Sequence, residues 1–261
     1  MTVVRGVSAL LRVFCIAMLV AGLGVALQPA AVTGAARAAG YESLMVPSAA
    51  MGRDIPVAFL AGGPHAVYLL DVFNAAPDVS NWVTAGNAMS TLGGKGISVV
   101  APAGGAWSMY TNWEQDGSKQ RDTFLSSELP DWLAADKGLA PCGHAAVGAS
   151  QGGYGAMALA AFHPDRFGFA GSLSGFLYPS STNYNGAILA GLQQYGGVDG
   201  NGMWGRRSWA GGSGTTRTCT PRCWPRTILG CVWSPTNMGG DDAAMIGQAG
   251  AAMGSSREFY Q

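Results

Sequence analysis

The chain has 261 residues, of which 48% are hydrophobic and 11% are charged, and its 15 basic side chains balance its 15 acidic ones. It is long enough to bury one sizeable hydrophobic core, and its composition is not that of a disordered chain. Because the formal net charge is zero, there is no electrostatic reason to expect a nucleic acid as a partner. These values favour a globular protein.

The first 38 residues are typical of an export signal. Arg5 and Arg12 precede an apolar run over residues 13–27, and small residues then lead to an Ala-x-Ala cleavage site. The alternative is a transmembrane anchor, but the run is shorter than the ~20 residues that span a bilayer. We therefore predict a cleaved signal peptide over residues 1–38, a single secreted domain over residues 39–261, and no integral membrane segment after cleavage.

Predicted strands alternate with predicted helices along the middle of the chain. Strands are predicted over residues 44–47, 55–59, 66–70, 97–102, 145–148 and 169–175, and helices over residues 81–92, 124–133, 151–163 and 242–253. The first two strands flank a turn and form a hairpin, and residues 78–80 can cap the first helix. This order predicts an α/β fold with a mostly parallel sheet and helices on both faces, whose functional groups lie at the carboxyl ends of the strands.

A nucleophile-elbow motif, G-x-S-x-G over residues 148–152, lies between the fifth predicted strand and an Ala/Leu-rich helix. Its glycines allow a sharp turn and close helix packing, and Ser150 would lie beside the free N–H groups of the helix N-terminus. In a chain with 40 glycines the motif can arise by chance, so the strand–turn–helix context carries the argument. Ser150 is the candidate catalytic nucleophile.

A complete triad also needs a histidine base and an acid, which follow the serine in α/β-hydrolases. His65 and His144 precede Ser150, and His163 lies several turns away near the end of the elbow's own helix. Two late aspartates could serve as the acid, but they have no histidine to orient. We therefore expect Ser150 to lack its catalytic partners.

Residues 205–231 differ in character from the rest of the chain, with five arginines, three cysteines and no acidic residue. The pair Cys219 and Cys223 could resemble a metal or disulfide pair, but no histidine lies nearby. We predict no metal site and no cofactor. A basic solvated loop is one interpretation, although so long a loop is uncommon in a compact domain.

Five stretches of sequence carry a resemblance to a known family, and they are residues 51–55, 67–71, 124–133, 175–180 and 196–204. They resemble the mycobacterial antigen 85 family of secreted, fibronectin-binding mycolyltransferases, and most of all its smaller, non-mycolylating paralogue. The resemblance implies an α/β-hydrolase fold, with fibronectin and small sugars as partners.

The resemblance also implies a site. Ser150 matches the family's nucleophile, and the backbone N–H groups of Phe73 and Gln151 match its oxyanion hole. Asp71 matches a sugar-contacting aspartate, whereas Asn74 stands where the enzymes have an arginine. Asp71 and Asn74 are therefore the candidate ligand-binding residues.

The chain departs from the family pattern in three places. The family's acid falls at residues 248–250, none of which can serve, and its late Gly-Gly-His-Asn motif is absent from this sequence. The resemblance also breaks between Gly205 and Val232 and then resumes in register. Compensating frameshifts in the gene are our hypothesis for this segment, and the C-terminal part of the fold is expected to be incomplete.

Three functions remain open from the sequence. The leading one is a secreted, non-catalytic antigen that attaches to the host by binding fibronectin and small sugars, with cell-wall association left open. The alternative is a mycolyltransferase-like acyltransferase or esterase that uses Ser150 on trehalose-type acceptors. The third is a damaged gene product that folds poorly because a bare sheet edge and apolar surface are exposed.

Overall fold

Seven strands and six α-helices are found in the computed structural model, which describes residues 40–177, 179, 182–204 and 231–232. The strands are β1 Glu42–Ser48, β2 Arg53–Leu60, β3 Ala66–Leu70, β4 Ser98–Pro102, β5 His144–Ala149, β6 Phe167–Leu173 and β7 Cys231–Val232. The helices are α1 Asn81–Thr84, α2 Ala88–Leu92, α3 Arg121–Thr123, α4 Leu129–Lys137, α5 Gln151–Phe162 and α6 Thr182–Gly196. A π-helical turn, Phe124–Glu128, joins α3 to α4, and a 3₁₀ turn, Gly200–Gly202, follows α6.

The strands form one mixed sheet in the order β1-β2-β4-β3-β5-β6-β7. The predicted hairpin is confirmed, because β1 pairs antiparallel with β2, which pairs antiparallel with β4. The pairs from β4 through β3, β5 and β6 to β7 are all parallel. Every residue of β3 and β4 is buried, as their continuous apolar sequences predicted.

The core lies on both faces of this sheet because successive strand residues point to opposite sides. Tyr68 and Leu70 of β3 pack with buried side chains of α4 and α5. Val67 and Leu69 of the same strand pack with side chains of α1 and α2 on the other face. The predicted α/β architecture with helices on both faces is therefore confirmed.

The single helix predicted over residues 81–92 is wrong in one respect, because it divides into α1 and α2. Asn87 adopts a left-handed conformation with φ 48°, which a continuous right-handed helix does not allow. The predicted cap is confirmed at Ser80, whose hydroxyl accepts a hydrogen bond from the N–H of Trp82 at 3.2 Å.

The helix predicted over residues 124–133 is longer than expected and contains the π-helical turn. Pro130 has no N–H and lies at the start of α4, so a regular helical hydrogen bond is lost there. The N–H of Leu129 instead bonds to the carbonyl of Phe124, five residues earlier. The strand predicted to reach residue 175 ends at Leu173, because Ser174 has φ 50°.

Several predicted segments lie outside the described residues. They are the signal peptide, the atypical segment apart from Cys231, the helix at 242–253 and the incomplete C-terminal part, and all stay predictions. Cys231 pairs in parallel with Ser172 of β6. In the described part of the chain, no helix combines the length and apolar character that a membrane span requires.

Candidate functional site

Ser150 occupies a strained turn between β5 and α5. Its backbone has φ 54° and ψ −120°, a combination that residues with side chains rarely adopt and that costs about 1–3 kcal/mol. Its N–H donates to the carbonyl of Leu173 at the end of the neighbouring strand, at 2.8 Å. The strand–turn–helix context expected from the sequence is therefore present in the fold.

The two motif glycines are sterically required at this turn. A Cβ atom at Gly148 would lie 2.1 Å from the carbonyl oxygen of Gly152. A Cβ atom at Gly152 would lie 2.2 Å from the carbonyl oxygen of Leu70 in β3. Both distances are far below van der Waals contact, so the motif spacing follows from the close approach of α5 to β3 and β5.

The two predicted oxyanion-hole residues come from adjacent strands. Gln151 is the first residue of α5, where a backbone N–H has no acceptor within the helix. Phe73 follows β3, which pairs with β5, so both residues lie at the carboxyl edge of the sheet. The ring of Phe73 stacks on Trp107 with centroids 5.4 Å apart, and its carbonyl accepts the Trp107 N–H at 2.9 Å. Their role as oxyanion donors stays a prediction.

The side chain of Gln151 was missed by sequence reasoning, which considered only its backbone. It is completely buried and bonds to Val72, Gly105 and Met109 in the loops that follow β3 and β4. The sequence feature that could have indicated this role is a polar residue at the start of a helix whose other residues are mostly small or apolar.

The candidate ligand residues Asp71 and Asn74 differ in exposure. Asn74 is exposed, but Asp71 is only 1% exposed, and its carboxylate accepts a hydrogen bond from the Ser80 hydroxyl at 2.9 Å. Burial raises the pKa of Asp71 to about 6, opposed by that hydroxyl and by the amides of Trp82 and Asn81. A sugar contact at Asp71 stays a prediction. Because this side chain is almost fully buried, a sugar could reach its carboxylate only after a neighbouring group had moved.

The three histidines of the chain all lie away from Ser150. His65 and His144 lie at the amino ends of β3 and β5, with ring centroids 6.4 Å apart, and the six residues of β5 place His144 about 20 Å from the serine. His163 follows the 12-residue helix α5, about 18 Å long, and its Nε2 lies 3.0 Å from Asp122. All three histidines therefore lie far from Ser150 in the described residues, and the expected lack of catalytic partners stays a prediction.

Metal binding and cysteine chemistry can also be assessed for the described residues. No group of three or more histidine, cysteine, aspartate or glutamate side chains there could hold a metal ion. Cys142 is exposed and carries a free thiol.

The sheet order, the helices on both faces and the serine at a strained elbow define an α/β-hydrolase-type protein. Residues 48–221 match the model of the esterase family described as "Putative esterase". The chain is 72% identical over 266 residues to the MPT51 antigen of Mycobacterium leprae, covering 98% of this chain and 86% of that protein. The crystal structure of Mycobacterium tuberculosis MPT51 is 71% identical with a TM-score of 0.73, covering 84% of this chain and 83% of that one.

A more distant relative is the diacylglycerol acyltransferase/mycolyltransferase Ag85B of Mycolicibacterium smegmatis. It is 47% identical over 173 residues, which cover 63% of this chain and 53% of that protein. This chain belongs to the esterase family and, within it, to the antigen 85 family, where it is similar to MPT51-type antigens. The resemblance inferred from the sequence is confirmed.

Proposed function

We propose that this antigen 85 family protein is a secreted, non-catalytic binding protein that attaches to host fibronectin and to small sugars. The positions of the three histidines carry this proposal. A serine hydroxyl becomes a useful nucleophile only when an adjacent base removes its proton. His144 and His163 are each about 18–20 Å from Ser150 along their own elements.

No lysine follows Ser150 that could replace a histidine as the base, and an arginine side chain stays protonated. The sequence contains no histidine after His163 and no lysine after Lys137. Loss of a triad base removes several orders of magnitude in rate. The elbow then serves the fold, by turning the chain from β5 into a helix that covers the sheet.

The proposed partners follow from the family resemblance and from the groups at the carboxyl edge of the sheet. Asn74 is exposed there, and the half-buried indole of Trp107 lies against Phe73. An amide and an aromatic ring are groups that sugar-binding sites combine, since one donates hydrogen bonds and the other offers an apolar face. Asn74 lacks the charge of the arginine in the related enzymes, so a weaker hold on the sugar is expected.

Hydrolysis of p-nitrophenyl butyrate by the purified chain and by Ser150→Ala tests the absence of catalysis. We expect the same slow rate from both proteins. Turnover by the wild-type chain that disappears in Ser150→Ala would show that a base exists and that the protein is an enzyme.

Binding to immobilised fibronectin, measured by biolayer interferometry, tests the proposed partner. We expect saturable binding that Ser150→Ala leaves unchanged. Absence of binding by the wild-type chain, with serum albumin as the reference surface, would refute fibronectin as the partner while leaving the hydrolysis result intact.

One observation favours the alternative function, an acyltransferase or esterase that uses Ser150. The strained backbone of Ser150 is retained at a cost of about 1–3 kcal/mol, as in nucleophile elbows that perform chemistry. The hydrolysis comparison above separates the two functions directly.

A further inference from the structure

The amide of Gln151 makes three hydrogen bonds to main-chain groups of two loops. Its Oε1 accepts from the N–H of Met109 at 3.0 Å. Its Nε2 donates to the carbonyl of Val72 at 2.9 Å and to the carbonyl of Gly105 at 2.8 Å. Both amide hydrogens are used, and a flipped amide would set its oxygen against two carbonyls, so the orientation is unambiguous.

The bond to Val72 fixes the direction of the next N–H group. In a trans peptide the carbonyl and the N–H of one unit point in opposite directions, and the described residues contain no cis peptide. Because the Val72 carbonyl faces the Gln151 amide, the Phe73 N–H points away from it. The Phe73 carbonyl in turn accepts the Trp107 N–H at 2.9 Å, so both peptide units beside Phe73 are held.

The second loop bound by Gln151 has a backbone that needs such support. Trp107, Met109 and Tyr110 have φ values of 53°, 52° and 50°, in the left-handed region that disfavours side chains. The Met109 N–H within this run is the group that bonds to Gln151. The same loop supplies the Trp107 N–H that holds Phe73, so a change at Gln151 reaches Phe73 by two routes.

We propose that the Gln151 side chain is a positioning residue of the predicted oxyanion hole. The backbone N–H of Gln151 is one predicted donor, and its side chain sets the direction of the other, the Phe73 N–H. Two such donors beside a serine are suited to the oxygen of a tetrahedral adduct. The inference depends on the predicted oxyanion hole and not on ester turnover, because a hole can be preformed where no base is present.

Formation of a tetrahedral boronate on Ser150, followed by ¹¹B NMR with phenylboronic acid as the probe, tests the proposal. The Ser150 oxygen bonds to the trigonal boron, the hydroxyl proton passes to water, and boron becomes four-coordinate and anionic. Because water takes the proton in this equilibrium, the adduct, unlike ester turnover, does not require a histidine beside Ser150. We expect an upfield, tetrahedral signal with the wild-type chain and none with Ser150→Ala. Gln151→Met keeps the side-chain volume without the amide, and it should weaken the adduct about tenfold or more.

Gln120→Met is the matched control. The Gln120 amide also donates to two main-chain carbonyls, those of Trp113 at 2.9 Å and Asp116 at 3.2 Å, later in the loop that follows β4. It bonds to none of the three main-chain groups that Gln151 holds, which belong to Val72, Gly105 and Met109. Its substitution should leave the adduct unchanged. Equal weakening in Gln120→Met and Gln151→Met would show a general loss of structure and would overturn the positioning role.

Gln151→Glu adds a readout that a packing role would not change. The ionised carboxylate has no donor for the Val72 carbonyl and repels the boronate, whereas the protonated acid regains one donor. We expect its affinity deficit relative to wild type to shrink as pH falls through the pKa of this carboxyl group, which burial raises above the ordinary glutamate value of about 4.3. A deficit independent of pH, a Gln151→Met adduct within about twofold of wild type, or no wild-type adduct would each overturn the proposal.

An absent adduct would leave the non-catalytic function standing, while serine-dependent ester turnover would refute that function alone. Different experimental results would therefore refute the positioning role of Gln151 and the non-catalytic function.

Discussion

Replacement of Gly152 by alanine tests whether the elbow is a steric necessity of this fold. The added Cβ would lie 2.2 Å from the carbonyl oxygen of Leu70, 2.6 Å from its carbonyl carbon and 2.7 Å from the carbonyl oxygen of Asp71. All three atoms belong to the backbone at the end of β3, which is buried and paired on both sides, so they cannot move cheaply. Overpacking of a well-packed site costs about 1–3 kcal/mol, and we expect Gly152→Ala to lose about 3 kcal/mol.

That loss is a large share of the ~5–15 kcal/mol by which domains are stable. For a chain of this size it lowers Tm by about 6–12 °C, which calorimetry or tryptophan fluorescence can follow. Gly186→Ala is the control, because Gly186 lies exposed within α6 with nothing within 4 Å of the added Cβ, and it should gain about 1 kcal/mol. A Gly152→Ala protein that melts within about 2 °C of wild type would refute the steric argument.

Two further predictions concern buried polar groups and pH. Tyr68→Phe removes a buried hydroxyl that has no hydrogen-bond partner among the described residues, so it should cost almost no stability. Tyr110→Phe removes the acceptor of the Asp71 N–H at 2.7 Å, so it should lower the free energy of unfolding in urea by about 1–3 kcal/mol. Equal losses in the two variants would contradict this prediction. The hydrogen bond that His163 donates to the Asp122 carboxylate raises the pKa of His163. The pair therefore stabilises the fold fully below about pH 6.5, and this contribution is lost as pH rises through the raised folded pKa. NMR titration of Asp122→Asn should show a lower His163 pKa, and an unchanged pKa would count against the ion pair.

The strands and the elbow were predictable because their signals are local. The apolar runs of β3 and β4 and the strand–glycine–serine–glycine–helix order lie within short windows, where periodicity and residue type decide the structure. The break between α1 and α2 was not predicted, because the helical spacing continues through Gly86 and Asn87. The left-handed backbone of Asn87 overrides that spacing.

The π-helical turn has a local cause that is visible in the sequence, the proline at position 130. Pro130 cannot donate a hydrogen bond, which marks a disturbance in any helix that contains it. The spacing of apolar residues nevertheless predicts one regular helix over residues 124–133. In the structure the chain instead bulges at Phe124–Glu128 and continues as α4.

The candidate site was predictable in part. Ser150 and the absence of a late histidine follow from residue order alone, because the family chemistry has a known order along the chain. The buried hydrogen bonds of Gln151 did not follow from it. They join residues separated by 79, 46 and 42 positions, and no window of sequence contains both partners.

By itself the sequence determined the family, the α/β class and the position of the elbow at Ser150, because these depend on residue type and spacing along the chain. Only the tertiary structure decided that β3 lies between β4 and β5, that Asp71 is buried and that Gln151 ties two loops to the elbow helix. The physical reason is that strand pairing and burial are settled by the packing of distant segments around a shared core. Local preference limits the possible elements, but it does not choose their neighbours.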